Sequence, residues 1–228
     1  YAVAELAVGL LISIDRKIPD NVFALRQKEW NKKDFTKSKG LFNRNVGIIG
    51  LGQIGLAFAE RLKGFGVNLF AINKDNRSES AQKRMASLDF SFCKNLNELA
   101  HKCDTLSFHV PSTPETKHLI NSEFLEHVQD NSIIINTSRG NIVDDKALID
   151  AMSTKGIKVG LDVFNNEPQQ SKTEFSTELT LHHNVYGTHH IGASTEQAQL
   201  AIAEEAIEII KCYQKGIIRN CVNIQNSP

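Results

Sequence analysis

The chain has 228 residues, of which 41% are hydrophobic and 23% are charged. This composition is typical of a globular protein that buries a sizeable core. Its 26 basic residues balance 26 acidic ones, so no net field attracts nucleic acid or an anionic membrane, and we predict neither as a partner. The four cysteines lack C-x-x-C spacing, which predicts reduced thiols and a cytoplasmic protein.

The N-terminal region has the hydrophobic spacing of a helix. Apolar residues recur at helical intervals over residues 2–17, which predicts an amphipathic helix with one buried face. We expect Pro19 to end this helix and a second, polar helix to form over 21–33 around Trp30. Because Tyr1 leads directly into the first helix without an initiator Met, we also expect further sequence upstream.

Short apolar runs then alternate with helical patterns along the rest of the chain. Strands are predicted at 46–49, 67–72, 89–92, 105–110, 132–136, 158–163 and 184–187. Helices are predicted at 78–85, 97–102, 122–127, after the capping residue Asp144 through Ser153, and at 195–215. Residues 169–180 are predicted to be a polar, mobile loop. This alternation predicts an α/β protein with a doubly wound parallel sheet of the Rossmann type.

The strand at 46–49 leads into the sequence GLGQIG at 50–55, which a helical pattern follows. Gly50 permits a tight strand-to-helix turn, and Gly52 permits the backbone to approach a pyrophosphate closely. Gly55 permits close packing of helix and strand, and the helix N-terminus offers free N–H groups to an anion. The pattern in this context predicts a dinucleotide-binding site.

The end of the second strand bears on the choice between NAD and NADP. Asn73 stands where a carboxylate commonly binds the adenosine ribose, and it lacks the charge that repels a 2′-phosphate. Lys74 and Arg77 could pair with such a phosphate, while Asp75 is an alternative carboxylate. These residues leave open the choice between NAD, the predicted cofactor, and NADP, and solvated loop charges are the alternative interpretation.

Three chemically suited residues each follow a different predicted strand. Arg139 offers a planar fork that suits a substrate carboxylate. His190 suits the role of base for a hydroxyl proton, and Glu167 would orient its ring. Because the carboxyl ends of parallel strands meet at one edge, we expect the three to converge where a nicotinamide could also lie.

A metal site is the rival interpretation of the histidine-rich segment. His182, His183, His189 and His190 lie close together in the sequence. Their spacing matches no helical pair of ligands, and no acidic residue lies at ligand spacing. We therefore predict no metal.

The motifs together resemble those of the D-isomer-specific 2-hydroxyacid dehydrogenases. The matching stretches are GLGQIG (50–55), HVPSTPET (109–116), NTSRGNIVD (136–144), GLDVFNNEP (160–168) and HIGAST (190–195). The resemblance implies a hydride-transferring oxidoreductase, a homodimer formed through the cofactor domain, and Arg139, Glu167 and His190 as the catalytic set. It also implies cofactor contacts at Gly50, Gly52, Gln53, Ile54, Gly55, Asn73, Lys74, Val110, Pro111, Thr116, Thr137, Ser138, Arg139, Asp162, His190, Gly192 and Ala193.

The resemblance also implies how the chain is divided. Residues 1–192 would be the dinucleotide-binding domain, and 193–228 would belong to a substrate domain whose remainder is not in this chain. The stretch 193–206 with CVN at 221–223 is most similar to the phosphoglycerate dehydrogenase branch, which acts in serine biosynthesis. Glyoxylate, hydroxypyruvate or glycerate reductases are the alternative within the family, and cofactor-sensing corepressors are the alternative of another class.

Two residues depart from the family pattern. Asn73 stands where an acidic residue is usual, which leaves the preference for NAD over NADP open. His189 stands where a Pro normally precedes the catalytic histidine, which removes a constraint on φ. Because much of the substrate domain is absent, we expect this chain alone to bind a dinucleotide with little or no turnover.

Overall fold

Seven strands form one parallel sheet in the part of the chain that the computed structural model describes, residues 1–74 and 77–221. The order in the sheet is β3-β2-β1-β4-β5-β6-β7, so the chain crosses over between β3 and β4 and winds in both directions from the centre. The predicted doubly wound fold is therefore confirmed. The strands are β1 (Asn45–Ile49), β2 (Asn68–Ile72), β3 (Ser91–Cys93), β4 (Thr105–Phe108), β5 (Ile133–Asn136), β6 (Lys158–Leu161) and β7 (Val185–Gly187).

Helices connect these strands and precede and follow the sheet in sequence. Within the described residues, no helix combines the length and the apolar character needed to cross a membrane. The helices are α1 (Ala2–Arg16), α2 (Ile18–Arg26), α3 (Gln53–Lys63), α4 (Glu79–Ala86), α5 (Leu96–Lys102), α6 (Ser122–His127), α7 (Asp145–Lys155), α8 (Glu178–Leu181) and α9 (Glu196–Gln214).

The sheet is covered by a separate hydrophobic core on each face. One core joins α1 and α3 to the sheet and contains Leu11 and Phe58, which are completely buried. The other joins α5, α6 and α7 to the sheet through residues such as Leu99 and Leu148. Successive residues of β5 point to opposite faces, with Ile134 in one core and Ile135 in the other. Burial on both faces explains why the strands are continuous apolar runs.

The chain divides into two compact units. The first consists of Tyr1 and residues 3–192 and contains the whole sheet. The second consists of Ala2 and residues 193–228, described as far as 221. Its helix, α9, begins after Thr195, whose hydroxyl accepts a hydrogen bond from the N–H of Ala198 at 3.1 Å, and α9 contains no buried residue. The assignment of this unit to a substrate domain stays a prediction.

Two predicted elements differ from the structure. Pro19 does not end the first helix: Lys17 does so by adopting φ 50°, and Pro19 lies in the first turn of α2, where a missing N–H costs nothing. The second helix begins at Ile18 and ends at Arg26, so it does not reach Trp30. The predicted loop at 169–180 contains the start of α8, because the side chains of Thr177 and Thr180 form a capping box.

A buried ion pair ties α1 to the start of β1. Arg44 Nη2 lies 3.1 Å from Asp15 Oδ1, and both side chains are more than nine-tenths buried. The N–H of Gly40 donates to Asp15 Oδ2 at 3.1 Å. Asp104, which pairs with Lys39, lies 3.5 Å from Arg44 Nε. Removing Asp15 would leave Arg44 with Asp104 as its remaining counter-charge in this cluster.

We expect Asp15→Asn to lower the free energy of unfolding by about 1–3 kcal/mol, because Arg44 would lose its closer and more buried counter-charge and keep only Asp104. Urea denaturation of the chain measures this change. Glu79→Gln is the control, since Glu79 pairs with Lys83 on the exposed surface of α4, where an ion pair contributes less than about 1 kcal/mol. Equal effects of the two substitutions would contradict the assignment.

Candidate active site

The turn between β1 and α3 is built for close backbone approach. Gly50 has φ +99°, a conformation that residues with a side chain rarely adopt, and a Cβ there would lie 2.4 Å from the carbonyl oxygen of His109. A Cβ on Gly55 would lie 2.0 Å from the carbonyl oxygen of Gly50. At Gly52, the residue before α3, a Cβ would meet no atom of the described residues within 4 Å, and no side chain caps the helix there. The N-terminus of α3 is therefore uncapped and open at Gly52, which fits the pyrophosphate of a dinucleotide.

A half-buried histidine, whose ring nitrogen Nδ1 is buried, lies beneath this turn. His109 follows β4, and its Nε2 lies 2.9 Å from the hydroxyl oxygen of Ser107. Its ring centroid lies 5.1 Å from that of Phe58 on α3, and its backbone N–H donates to the carbonyl of Ile49 at 2.7 Å. Burial lowers the pKa of His109 to about 4, so the ring is neutral at pH 7. The sequence interpretation assigned His109 no role, although a histidine at the end of a buried strand was a usable signal.

The end of β2 holds the residues predicted to select between NAD and NADP. Asn73 and Lys74 are exposed. Arg77 donates from Nη1 to the carbonyl of Leu51 at 3.4 Å and from Nη2 to the carbonyl of Ile72 at 3.3 Å. Its guanidinium therefore lies between the glycine turn and the end of β2. The alternative carboxylate, Asp75, lies outside the described residues.

A buried amide fixes the turn that carries Arg139. Asn136, at the end of β5, is completely buried. Its Oδ1 accepts hydrogen bonds from the N–H of Ser138 at 3.0 Å and from the Ser138 hydroxyl at 2.7 Å. Its Nδ2 donates to the carbonyl of Arg139 at 2.9 Å. The backbone of this turn is thereby determined before any ligand binds.

His190 and Glu167 are in direct contact. His190 Nδ1 lies 2.7 Å from Glu167 Oε2, and the His190 side chain is half exposed. The other carboxylate oxygen of Glu167 accepts a hydrogen bond from the N–H of Phe164 at 2.7 Å. An ionised carboxylate can only accept, so Nδ1 carries a proton and Nε2 of a neutral ring is left as the base.

Arg139, Glu167 and His190 line one cavity of about 320 Å³. Two of the loops around it touch through their backbones: a Cβ on Gly140 would lie 2.1 Å from the carbonyl carbon of Phe164. A larger cavity, of about 820 Å³, lies among residues 16–40 and contains none of the three. We assign the chemistry to the smaller cavity because it gathers a base, a partner for that base and a cation.

The other predicted contact residues occupy the loops around this edge of the sheet. Thr116 donates to the carbonyl of Pro111 at 2.6 Å, which closes the loop after β4. Asp162 is buried and accepts hydrogen bonds from the turn that carries His190. Ala193 belongs to the second unit. No group of three His, Cys, Asp or Glu residues suited to a metal occurs among the described residues.

Comparison with known proteins identifies the family. The family model for the D-isomer specific 2-hydroxyacid dehydrogenase, NAD binding domain, matches residues 8–192. The chain belongs to this family. The matched residues are its NAD-binding domain, and the open glycine turn described above fits that cofactor. The resemblance predicted from the sequence is confirmed, and so is NAD as the cofactor.

Several dehydrogenases and reductases are similar to this chain. It is 38% identical over 229 residues to D-3-phosphoglycerate dehydrogenase of Methanocaldococcus jannaschii, covering 100% of this chain and 42% of that protein. It is 36% identical over 231 residues to glyoxylate reductase of Thermococcus litoralis, covering 97% of this chain and 66% of that protein. The structure of D-lactate dehydrogenase from Aquifex aeolicus, complexed with NAD and lactic acid, is similar to this chain with a TM-score of 0.81 and 26% identity. The similarity covers 95% of this chain and 67% of that chain. The chain thus spans about two fifths of the phosphoglycerate dehydrogenase that it matches.

The lowered pKa of His109 predicts that the stability of the chain falls as the pH falls. Its pKa is about 4 in the folded chain, against 6.5 as the ordinary value, so the unfolded chain binds a proton that the folded chain excludes. The stability contributed by the neutral ring is present above pH 6.5 and is lost as the pH falls toward 4, by roughly 3 kcal/mol in total. Urea denaturation between about pH 7 and pH 4 measures this loss.

His109→Gln should remove most of that loss, because glutamine does not titrate in this range. His189→Gln is the matched control, since His189 is exposed and should leave the pH dependence unchanged. If the two variants lose stability in parallel as the pH falls, the His109 ring is not its source.

Proposed function

We propose that the complete protein transfers a hydride between NAD and a D-2-hydroxy acid. The observation that carries this proposal is the contact of 2.7 Å between His190 and Glu167 in a cavity that Arg139 also lines. NAD, held at the glycine turn of residues 50–55, would supply the acceptor for the hydride in the oxidation, and NADH would supply the donor in the reverse reaction. The remaining chemistry belongs to side chains of this chain.

In the oxidation, Nε2 of His190 takes the proton of the substrate hydroxyl as the C–H bond breaks and the C=O bond forms. The Glu167 carboxylate keeps the proton on Nδ1 and stabilises the imidazolium that results. Arg139 Nη1 donates to the carbonyl of Ser138 at 2.6 Å. The other N–H groups of its guanidinium bind the substrate carboxylate and so fix the position of the reacting carbon. In the reverse direction His190 returns its proton to the forming alcohol.

We propose 3-phosphoglycerate as the substrate, with 3-phosphohydroxypyruvate as the product, in serine biosynthesis in the cytoplasm. This is supported by the 38% identity to the Methanocaldococcus jannaschii phosphoglycerate dehydrogenase across the whole chain. Reduction of glyoxylate or hydroxypyruvate is the second candidate, since the glyoxylate reductase is 36% identical and is covered over 66% of its length. Asn73, Lys74 and Arg77 favour use of NADPH in that case, because none of them repels a 2′-phosphate.

His190→Ala should lower kcat of the complete protein by about 10²–10⁴-fold, the usual contribution of a general acid–base residue. NADH affinity, measured by fluorescence titration, should stay largely unchanged. His189→Ala is the matched control, because His189 is the adjacent exposed histidine and should leave kcat close to the unaltered value. Near-normal turnover by His190→Ala would show that another residue is the base.

Initial rates of the complete protein with each substrate and cofactor distinguish the candidate functions. We expect oxidation of 3-phosphoglycerate with NAD to be faster than reduction of glyoxylate or hydroxypyruvate with NADH or NADPH. The opposite order would favour the reductase. Cofactor binding without turnover of any of these acids would instead favour a cofactor-sensing binding protein. The 228-residue chain alone should bind NADH with little or no turnover.

We further propose a homodimer formed through the cofactor domain. The residues that support this are Phe23, Leu25 and Trp30, whose side chains are 66%, 57% and 84% exposed. Leu25 and Trp30 also line the larger cavity. Phe23→Asp combined with Trp30→Ser should shift the complete protein toward monomer in sedimentation velocity experiments. Leu181→Asp, at an exposed leucine on α8, is the control that should not. A dimer unaffected by the double substitution would place the interface elsewhere.

A further inference from the structure

The turn that carries His190 is held by one buried carboxylate. Asp162, which is 1% exposed, accepts three hydrogen bonds from this turn. The Thr188 hydroxyl donates to Oδ1 at 2.7 Å, the N–H of Ile191 donates to Oδ1 at 2.8 Å, and the N–H of Gly192 donates to Oδ2 at 2.8 Å. The turn is therefore fastened on both sides of the histidine to the same side chain.

The backbone of His190 needs this support. His190 has φ +53°, in the left-handed region that residues with a side chain seldom occupy. Its N–H donates to the backbone carbonyl of Asp162 at 2.8 Å. A backbone conformation of this kind persists when the surrounding contacts determine it, and here those contacts converge on Asp162.

We propose that Thr188, acting through the carboxylate of Asp162, is a positioning residue that holds His190 beside Glu167. This inference rests on the proposed acid–base role of His190. Thr188 is not among the residues that line the cavity, so its effect passes through the carboxylate. The sequence motifs around His190 indicate the histidine and not the threonine two residues before it.

Thr188 supplies the side-chain donor of the three, whereas the other two donors are backbone groups. Among the described residues no ion pair involves Asp162, so these donors carry the compensation for a buried carboxylate. Without the hydroxyl, Oδ1 keeps one donor in place of two. The carboxylate then loses a restraint on its rotation, and the N–H groups of Ile191 and Gly192 lose a fixed acceptor.

The kinetic test uses the complete protein with three threonine substitutions. Thr188→Val removes the hydroxyl at nearly constant volume, and Thr188→Ser keeps it. Thr154→Val is the matched control, because the Thr154 hydroxyl donates within α7 to Asp150 and is exposed. We expect Thr188→Val to lower kcat by about 10–100-fold, with KM and NADH affinity changed by less than about threefold, since a misplaced base slows the chemical step. Thr188→Ser and Thr154→Val should retain kcat.

Amide hydrogen exchange measures the positioning separately from turnover. In Thr188→Val the amides of Ile191 and Gly192 should exchange at least about tenfold faster, while in Thr188→Ser they should exchange at the original rate. If Thr188→Val does not fold, Thr188→Ala carries the same expectations. Unchanged exchange, or faster exchange with an unaltered kcat, would overturn the proposal.

The two proposals fail in different ways. Normal turnover by His190→Ala would refute the acid–base role, and the positioning of His190 for catalysis would fall with it. Turnover that depends on His190 and is insensitive to Thr188→Val would refute the positioning role alone. If the complete protein acts on none of the acids, faster exchange in Thr188→Val that is absent in Thr188→Ser would still support the mechanical link, and unchanged exchange would overturn it.

Discussion

The carboxylate of Asp162 is buried and is held by N–H and O–H donors in place of a cation. Burying such a group is costly unless hydrogen bonds replace the water it has lost. Those bonds come from the turn after β7, so the hydrogen bonds that compensate the buried carboxylate are also the ones that fix the conformation of the turn. The position of His190 follows from it, and the contact with Glu167 follows from the position of His190.

The neighbouring strand uses the same device with a neutral group. Asn136 at the end of β5 holds the Arg139 turn, as Asp162 after β6 holds the His190 turn. The two are joined directly, since the N–H of Asp162 donates to the carbonyl of Asn136 at 3.1 Å. The spacing between the cation and the base is therefore set by adjacent strands of the sheet, whose hydrogen-bonded separation is nearly invariant.

The sequence was sufficient to predict the sheet because its strands are buried on both faces. Short apolar runs such as residues 133–135 are then predicted to be buried strands. The polar residues that follow each run indicate the edge of the sheet where a ligand binds. The junction between α1 and α2 was predicted wrongly, with Pro19 as the helix terminator, because Lys17 adopts a left-handed conformation that its residue type does not signal. Thr177 and Thr180 lie three residues apart, and their capping box in a polar segment was missed for lack of an apolar run after it.

The reactive side chains of the candidate site could be predicted from the sequence, whereas the hydrogen bonds that hold them in place could not. A base, a carboxylate and a guanidinium can be recognised as residue types, and the topology brings their loops to one edge. The donors that reach Asp162 depend on where the N–H groups of a turn point, which no residue pattern specifies. The same holds for Arg77, whose guanidinium was predicted to be available for a phosphate and also donates to two backbone carbonyls.

The contact between Gly140 and Phe164 has a consequence for which residues can stand at position 140. A Cβ there would lie 2.1 Å from the carbonyl carbon of Phe164, so the loops that bear Arg139 and Glu167 meet backbone to backbone with no room for a side chain between them. Evolutionary change at residue 140 is therefore restricted, because even a methyl group would separate the loop of the guanidinium from the loop of the carboxylate.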